Sequence, residues 1–192
     1  FLREALNSRK PKTILEIGVN NSRKYDYSST FNFLSYVSAN KDVKYLGIDI
    51  DQENIDGIFK DPPNTDEENT DEITYINNNK KLFKKNKIDF VNDDSGKYNL
   101  IAEKIKSFLG GKIDMLFIDG WHSVDQVLKE WRYIDFLSNK GIVILHDTNN
   151  HPGPKNLLKA IDRDIFQINE PFKGRKNDWG IASIEFKKSL KW

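Results

Sequence analysis

Asp119 and Asp147 each close an apolar run, Met115-Leu116-Phe117-Ile118 before the first and Ile142-Val143-Ile144-Leu145 plus His146 before the second. A charge at the tip of a buried run is not needed for solubility, so both acids are candidates for chemistry. His122 stands three residues after Asp119. Paired carboxylates are hard oxygen donors that suit Mg²⁺, Mn²⁺ or Ca²⁺ better than zinc. An imidazole titrates near neutrality and can accept a proton from a hydroxyl. Two carboxylates and an imidazole at neighbouring strand tips are therefore a candidate set for proton transfer or cation binding. Strand alternation points His146 away from Asp147 and toward packing, which leaves it a reserve base. His151, in the loop beyond, either meets a substrate or has no role.

Two other strand ends carry a signal. Leu15-Glu16-Ile17-Gly18 closes the first apolar run, and Gly18 there permits a close backbone approach to a ligand. An equally good reading is a tight strand-to-helix turn with Glu16 capping something local. Lys44-Tyr45-Leu46-Gly47-Ile48-Asp49 is the next run, and an acid at such a tip can accept both hydroxyls of a ribose. Asp51 competes for that role, and its bland reading is as the cap of a helix around Glu53 to Ile58.

The elements that would position these residues follow from periodicity. Both runs around Asp119 and Asp147 are continuous rather than alternating, the mark of parallel strands buried on both faces. Between them Ser123 and Gln126 have capping-box spacing, and Val124, Val127, Leu128, Trp131, Ile134 and Leu137 recur at helical period up to a stop at Asn139-Lys140-Gly141. The charges Asp125, Lys129, Glu130, Arg132 and Asp135 read as the solvated face of that helix. The unit is βαβ, so Asp119 and Asp147 reach the same rim and share a crevice.

A short entry helix with Leu2, Ala5 and Leu6 is expected before the first strand, and a helix from Ser28-Ser29-Thr30 carrying Phe31, Leu34 and Val37 inward after it. Ile88 to Val91 is a third strand, Leu100 to Leu109 a helix ended by Gly110-Gly111, and Leu157 to Ile165 a later helix. Two last strands fall near Ile165 to Ile168 and Gly180 to Phe186, with Trp179 before the second as a candidate contact for an acceptor ring. Residues 57 to 87 change composition and read as an extended surface insert, with a short strand at Ile73 to Ile76 and a helix around Lys80 to Lys85. Trp121 either walls a pocket or packs on the neighbouring helix.

The 192 residues fit one α/β domain, 1–192, with that insert. A net charge of +1 steers the chain to neither nucleic acid nor an acidic membrane. The absence of cysteine removes disulfides, thiolate nucleophiles and Cys-ligated metals. No apolar run has the length of a membrane span, and Phe1-Leu2-Arg3-Glu4 lacks a signal-peptide pattern, so a cytoplasmic enzyme is the expectation.

Taken together, Leu15-Glu16-Ile17-Gly18, Leu46-Gly47-Ile48-Asp49, Asn92-Asp93-Asp94-Ser95, Phe117-Ile118-Asp119-Gly120-Trp121-His122 and Leu145-His146-Asp147-Thr148 resemble class I S-adenosylmethionine-dependent methyltransferases. The most similar branch is that of the metal-dependent small-molecule O-methyltransferases, with the catechol and macrolide-sugar enzymes and the cephalosporin-hydroxylase group. The resemblance implies a Rossmann-like, doubly wound, mostly parallel seven-stranded sheet with helices on both faces. It implies that Glu16 and Gly18 flank the methionine part of S-adenosylmethionine, Asp49 holds the ribose, Asp94 and Ser95 border the adenine, and Asp119 belongs to the cofactor site as well. Asp119 and Asp147, with Thr148, would hold a divalent cation, Mg²⁺ first among candidates, and His122 would act as general base. The implied partner is a small-molecule acceptor, a sugar or an aromatic hydroxyl, with no nucleic acid or membrane and a homo-oligomer allowed.

Asn20, Asn21 and Ser22 stand where many members carry further glycines, and Thr148 stands where the catechol enzymes have asparagine. An inactive, methyltransferase-like binding or assembly module is therefore the alternative. An NAD-dependent oxidoreductase is disfavoured because no Gly-x-Gly-x-x-Gly follows the first strand.

Overall fold

The computed structural model describes residues 1–19, 28–60 and 70–187, and in it the apolar runs pair into one sheet. Its strands are β1 (Thr13–Ile17), β2 (Lys44–Asp49), β3 (Ile88–Asn92), β4 (Ile113–Ile118), β5 (Leu137–His146), β6 (Phe166–Asn169) and β7 (Ile181–Phe186), in the order β3-β2-β1-β4-β5-β7-β6. Strands β1 to β5 pair in parallel, and β7 is antiparallel to both of its neighbours. The helices are α1 (Leu2–Arg9), α2 (Ser29–Ala39), α3 (Gln52–Asp56), α4 (Thr70–Lys84), α5 (Tyr98–Lys104), α6 (Val124–Trp131) and α7 (Pro152–Ala160). This is the seven-stranded, doubly wound α/β sheet that the sequence implied.

The continuity of the apolar runs has a direct cause. Ile14, Tyr45, Met115 and Ile142 pack on one face with Leu6, Phe33, Val37 and Leu82, whereas their neighbours Leu15, Leu46, Leu116 and Val143 pack on the other with Ile101, Val127 and Leu157. Each strand position is thus buried whichever way it points, at about 1.5–3 kcal/mol for a large apolar side chain. From β1 the chain winds outward to β2 and β3, then returns to β4 on β1's other side and winds on to β5. The β1–β4 boundary is therefore the topological switch point, and a ligand crevice is expected at its carboxyl ends.

Some local expectations need correcting. Residues Ile73 to Ile76 are helical, not a strand, and belong to the fifteen-residue α4. Within it Ile76, Asn79 and Leu82 are buried, a three-residue spacing that matches a helix face, and the helix joins the core on the α2 side of the sheet. The segment read as an extended surface insert thus covers the sheet where it is described, while residues 61–69 lie outside the described residues. Helix α6 stops at Trp131 and a 3₁₀ turn, Arg132–Phe136, leads into β5. Asn139-Lys140-Gly141, read as the stop, lies inside that strand. Phe33 rather than Phe31 is the inward aromatic of α2, and Leu100, Val124 and Leu128 are exposed.

Candidate active site

Two clefts open at the carboxyl ends of β1, β2 and β4. The first, about 370 Å³, is lined by Ile17, Gly18, Ile48, Asp49, Asp94, Ser95, Asp119, Gly120, Trp121 and Gln126 among others. Gly18 is at φ +86°, and a Cβ there would lie 2.1 Å from the Asp119 carbonyl oxygen. The close approach that demands glycine is therefore that of the β4 tip, which draws the two strand ends together. Asp49 is buried, and its two carboxylate oxygens accept from the Val19 and Asp51 N–H groups at 2.8 Å each. Burial raises its pKa despite those bonds. Asp51 caps α3 through the Glu53 N–H, the bland one of its two readings.

At the other end, the Asp94 carboxylate accepts from the Gly96 N–H at 2.7 Å and from Gln126 Nε2 at 3.0 Å, and these bonds hold it below the usual range. Ser95 Oγ donates to Glu130 Oε1 at 2.6 Å and accepts from Gln126 Nε2 at 2.8 Å. Trp121 is 77% exposed and lies on the wall of this cleft, so it does not pack on α6. An apolar floor of Ile17 and Ile48 between fixed acids suits a nucleoside with a polar sugar.

The second cleft, about 570 Å³, is lined by Ser29, Asn32, Phe117, Asp119, His122, His146, Asp147, His151, Trp179 and Ile181, with Asp119 shared between the two. Asp147 takes a left-handed backbone, φ 59°, which aspartate tolerates better than most residues, as the chain leaves β5. His122 Nε2 lies 2.9 Å from Asp147 Oδ2 and 3.4 Å from Asp119 Oδ1. These contacts, that with Asp119 first, push the imidazole up to about 9. His146 Nδ1 is 3.1 Å from Asp119 Oδ1 and 3.0 Å from Asp147 Oδ1. Burial disfavours its charge, but the two carboxylates outweigh burial and raise it to about 10. Burial also works to raise Asp147, and the two histidines overcome that and hold its carboxyl well below the usual range. The His151 ring stacks on His122 at 4.4 Å and on Trp179 at 6.0 Å.

The structure therefore brings Asp119, His122 and Asp147 together and sets Gly18, Asp49, Asp94 and Ser95 around the neighbouring cleft. Three residues differ from expectation. Glu16 is fully buried and accepts from Ser29, Thr30 and Tyr45, so its carboxylate ties β1 and β2 to the start of α2 and is not on the cleft wall. Burial raises it to about 8. Thr148 turns its hydroxyl toward Gly180 and lines a separate groove with Asn149 and Lys155, so it does not complete the acid pair. His146, assigned by alternation to packing, faces both aspartates, because the left-handed turn at Asp147 folds that carboxylate back over it. The Asn20 to Ser22 turn lies outside the described residues.

Glu130 was missed altogether. Read as part of a solvated face, it is fully buried behind the Asp119-Gly120 tip, where a Cβ on Gly120 would lie 2.7 Å from its Oε1. Among the described residues its Oε2 has no hydrogen-bond partner, and burial raises its pKa to about 7. The available signal was indirect: Gln126 and Glu130 are one helical turn apart on the side of α6 facing the β3 turn.

Residues 28–148 match the model of a methyltransferase domain family, which is more than half of the chain. Among curated proteins none matches the sequence. Of solved structures, one from Staphylococcus aureus assigned to the caffeoyl-CoA O-methyltransferases is 15% identical, with a TM-score of 0.61 over 97% of this chain and 81% of that one. A TDP-rhamnose 3′-O-methyltransferase of calicheamicin biosynthesis is 13% identical, with a TM-score of 0.58 over 95% of this chain and 77% of that one. A methyltransferase of the mycinamycin pathway, in complex with Mg and SAH, is 15% identical, with a TM-score of 0.56 over 100% of this chain and 49% of that one. At these identities the likeness is one of fold. Family match, strand order and the cleft at the switch point agree, and the chain belongs to the class I S-adenosylmethionine-dependent methyltransferases.

Proposed function

We propose that the chain transfers the methyl group of S-adenosylmethionine to a hydroxyl of a small molecule, a sugar or an aromatic, with the help of a divalent cation. The observation that carries this reading is the meeting of the two clefts at Asp119, with His122 against both Asp119 and Asp147 at the junction. The sugar enzyme and the Mg complex among the similar folds support the same direction.

In this reading Asp49 holds the ribose hydroxyls, Asp94 and Ser95 border the adenine, and Gly18, where the β4 tip closes on β1, flanks the methionine part. Asp119 and Asp147 hold the cation, and His122 takes the acceptor's proton as the oxygen attacks. When bound, the sulfonium supplies an electrophilic methyl and the cation stabilises the developing alkoxide. An imidazolium cannot accept a proton, so His122 serves as base only when the carboxylates are neutralised by something other than itself. The walls of the two clefts align donor and acceptor for in-line transfer, which is mainly a matter of positioning. His151 and Trp179 offer flat faces to an acceptor ring.

Calorimetric titration with S-adenosylmethionine, with and without Mg²⁺, followed by detection of S-adenosylhomocysteine with nucleotide sugars and phenols as acceptors, tests the proposal. Cofactor binding and cation-dependent turnover are expected. A chain that binds no S-adenosylmethionine would overturn the proposal in favour of a binding module.

A further inference from the structure

We infer that the cation of this centre is bound by an imidazole as well as two carboxylates, with His146 Nδ1 as third ligand, so that the site prefers a borderline transition ion such as Zn²⁺, Co²⁺ or Ni²⁺ over Mg²⁺. The inference rests on the cation-assisted reading above and concerns which ion that reading requires.

The geometry supports it first. His146 Nδ1, Asp119 Oδ1 and an Asp147 oxygen all lie within 4.8 Å of one another. The nitrogen stands 3.1 Å from the first oxygen and 3.0 Å from the second. Metal–ligand bonds of about 2.1 Å meeting near right angles set neighbouring donors about 3.0 Å apart. A ring nitrogen is a single donor atom, and here it lies within contact distance of an oxygen of each carboxylate. The ring is also held: it packs on Phe117 of β4 with centroids 6.2 Å apart, and β5 pairs with β4 on one side and β7 on the other. A donor fixed by the sheet is ready to bind without loss of side-chain freedom.

The donor chemistry then decides the ion. Mg²⁺ requires oxygen ligands in near-ideal octahedral geometry and gains little from imidazole, whereas imidazole raises affinity along the series toward nickel and copper and suits zinc. The chain contains three histidines, and all three face this aspartate pair. The Asp147 oxygens divide the work. Oδ1 faces His146 and Oδ2 faces His122 and His151, which leaves His122 beside the cation position with its own partner.

The test compares Zn²⁺ and Mg²⁺ on the whole chain by calorimetry and follows the histidine nitrogens by long-range ¹H–¹⁵N NMR, assigned with His146→Asp. Zn²⁺ is expected to bind at least about tenfold more tightly than Mg²⁺ and to shift the His146 Nδ1 resonance. His146→Asp, which supplies an oxygen in its place, should lower that preference at least about tenfold. Equal affinity for the two ions with His146 Nδ1 unmoved would overturn the inference and leave the cation-assisted reading standing with a carboxylate-only centre. Binding of neither ion would overturn both.

Discussion

The two clefts that meet at Asp119 hold their acids in opposite ways. In the cofactor cleft the carboxylates are tied to backbone: Asp49 accepts from Val19 and Asp51, and Asp94 accepts from Gly96. In the neighbouring cleft Asp119 and Asp147 face imidazoles instead. Backbone N–H groups stay where the fold puts them, so the first cleft is a fixed mould. An imidazole can give up its place to a cation or a hydroxyl without disturbing the sheet, so the second can exchange partners during turnover. In the proposed reaction the first cleft would recognise and the second would react.

The largest effect should come from breaking the exchangeable side. Asp147→Asn removes a charge that faces three histidines, and methyl transfer should fall by about 10²–10⁴-fold with S-adenosylmethionine affinity little changed. Turnover measured beside calorimetric cofactor binding checks this; loss of both would mean that the clefts are not separable. Asp49→Ala breaks the fixed side. Two backbone donors lose their buried acceptor, which should cost about 1–3 kcal/mol of stability and at least tenfold in cofactor affinity. Urea unfolding and the same calorimetry read the two losses.

How legible the two clefts were in sequence follows from the same contrast. The strand-tip acids of both clefts follow apolar runs, and a run buried on both faces announces its strand and its tip, as at Ile48-Asp49 and Ile118-Asp119. Local caps were equally plain, for Ser123 and Asp51 act within three residues of themselves. What failed depended on contacts distant in the chain. Glu130 has the same helical phase as a solvated charge, and only the β3 turn packed over it makes it a buried partner of Ser95. His146 obeyed its alternation, but period-two reasoning does not foresee that Asp147 leaves the strand at positive φ. The resemblance set Glu16 beside the methionine part of the cofactor, yet α2 folds back to claim its carboxylate. Ile73 to Ile76 read as a strand because three of the four are β-branched, whereas the bond of buried Asn79 to the Ile58 carbonyl is distant in the chain.

Glu130 offers a smaller and sharper probe of the fixed side, through pH. Its pKa rises from 4.5 to about 7 on folding, chiefly by burial, so the folded chain keeps a proton that the unfolded chain has lost. Stability from this group is full below about pH 4.5 and declines as pH rises through about 7. Glu130→Gln removes the titration while leaving an oxygen for the Ser95 hydroxyl. Between pH 5 and pH 8 the parent should lose about 1–3 kcal/mol more than the variant, the contributions of Glu16 and the histidines cancelling in the difference. Parallel urea unfolding curves at the two pH values give the number. Parallel slopes for parent and variant would mean that the carboxylate is ionised at no cost.

The mildest perturbation separates the clefts without touching a charge. Trp121 stands on the wall of the cofactor cleft and Trp179 on that of its neighbour, both exposed, so neither truncation opens the core. An aromatic face that packs on a flat ligand contributes about 0.5–1.5 kcal/mol, or about twofold to just over tenfold in affinity. Trp121→Ala should weaken S-adenosylmethionine by that factor and leave the acceptor KM in place. Trp179→Ala should do the reverse, raising the acceptor KM, because its stacked partner is His151 and not a cofactor-cleft residue. A pair of variants that shift both constants together would mean that the shared Asp119 wall couples the clefts, and that acceptor binding reshapes the cofactor side.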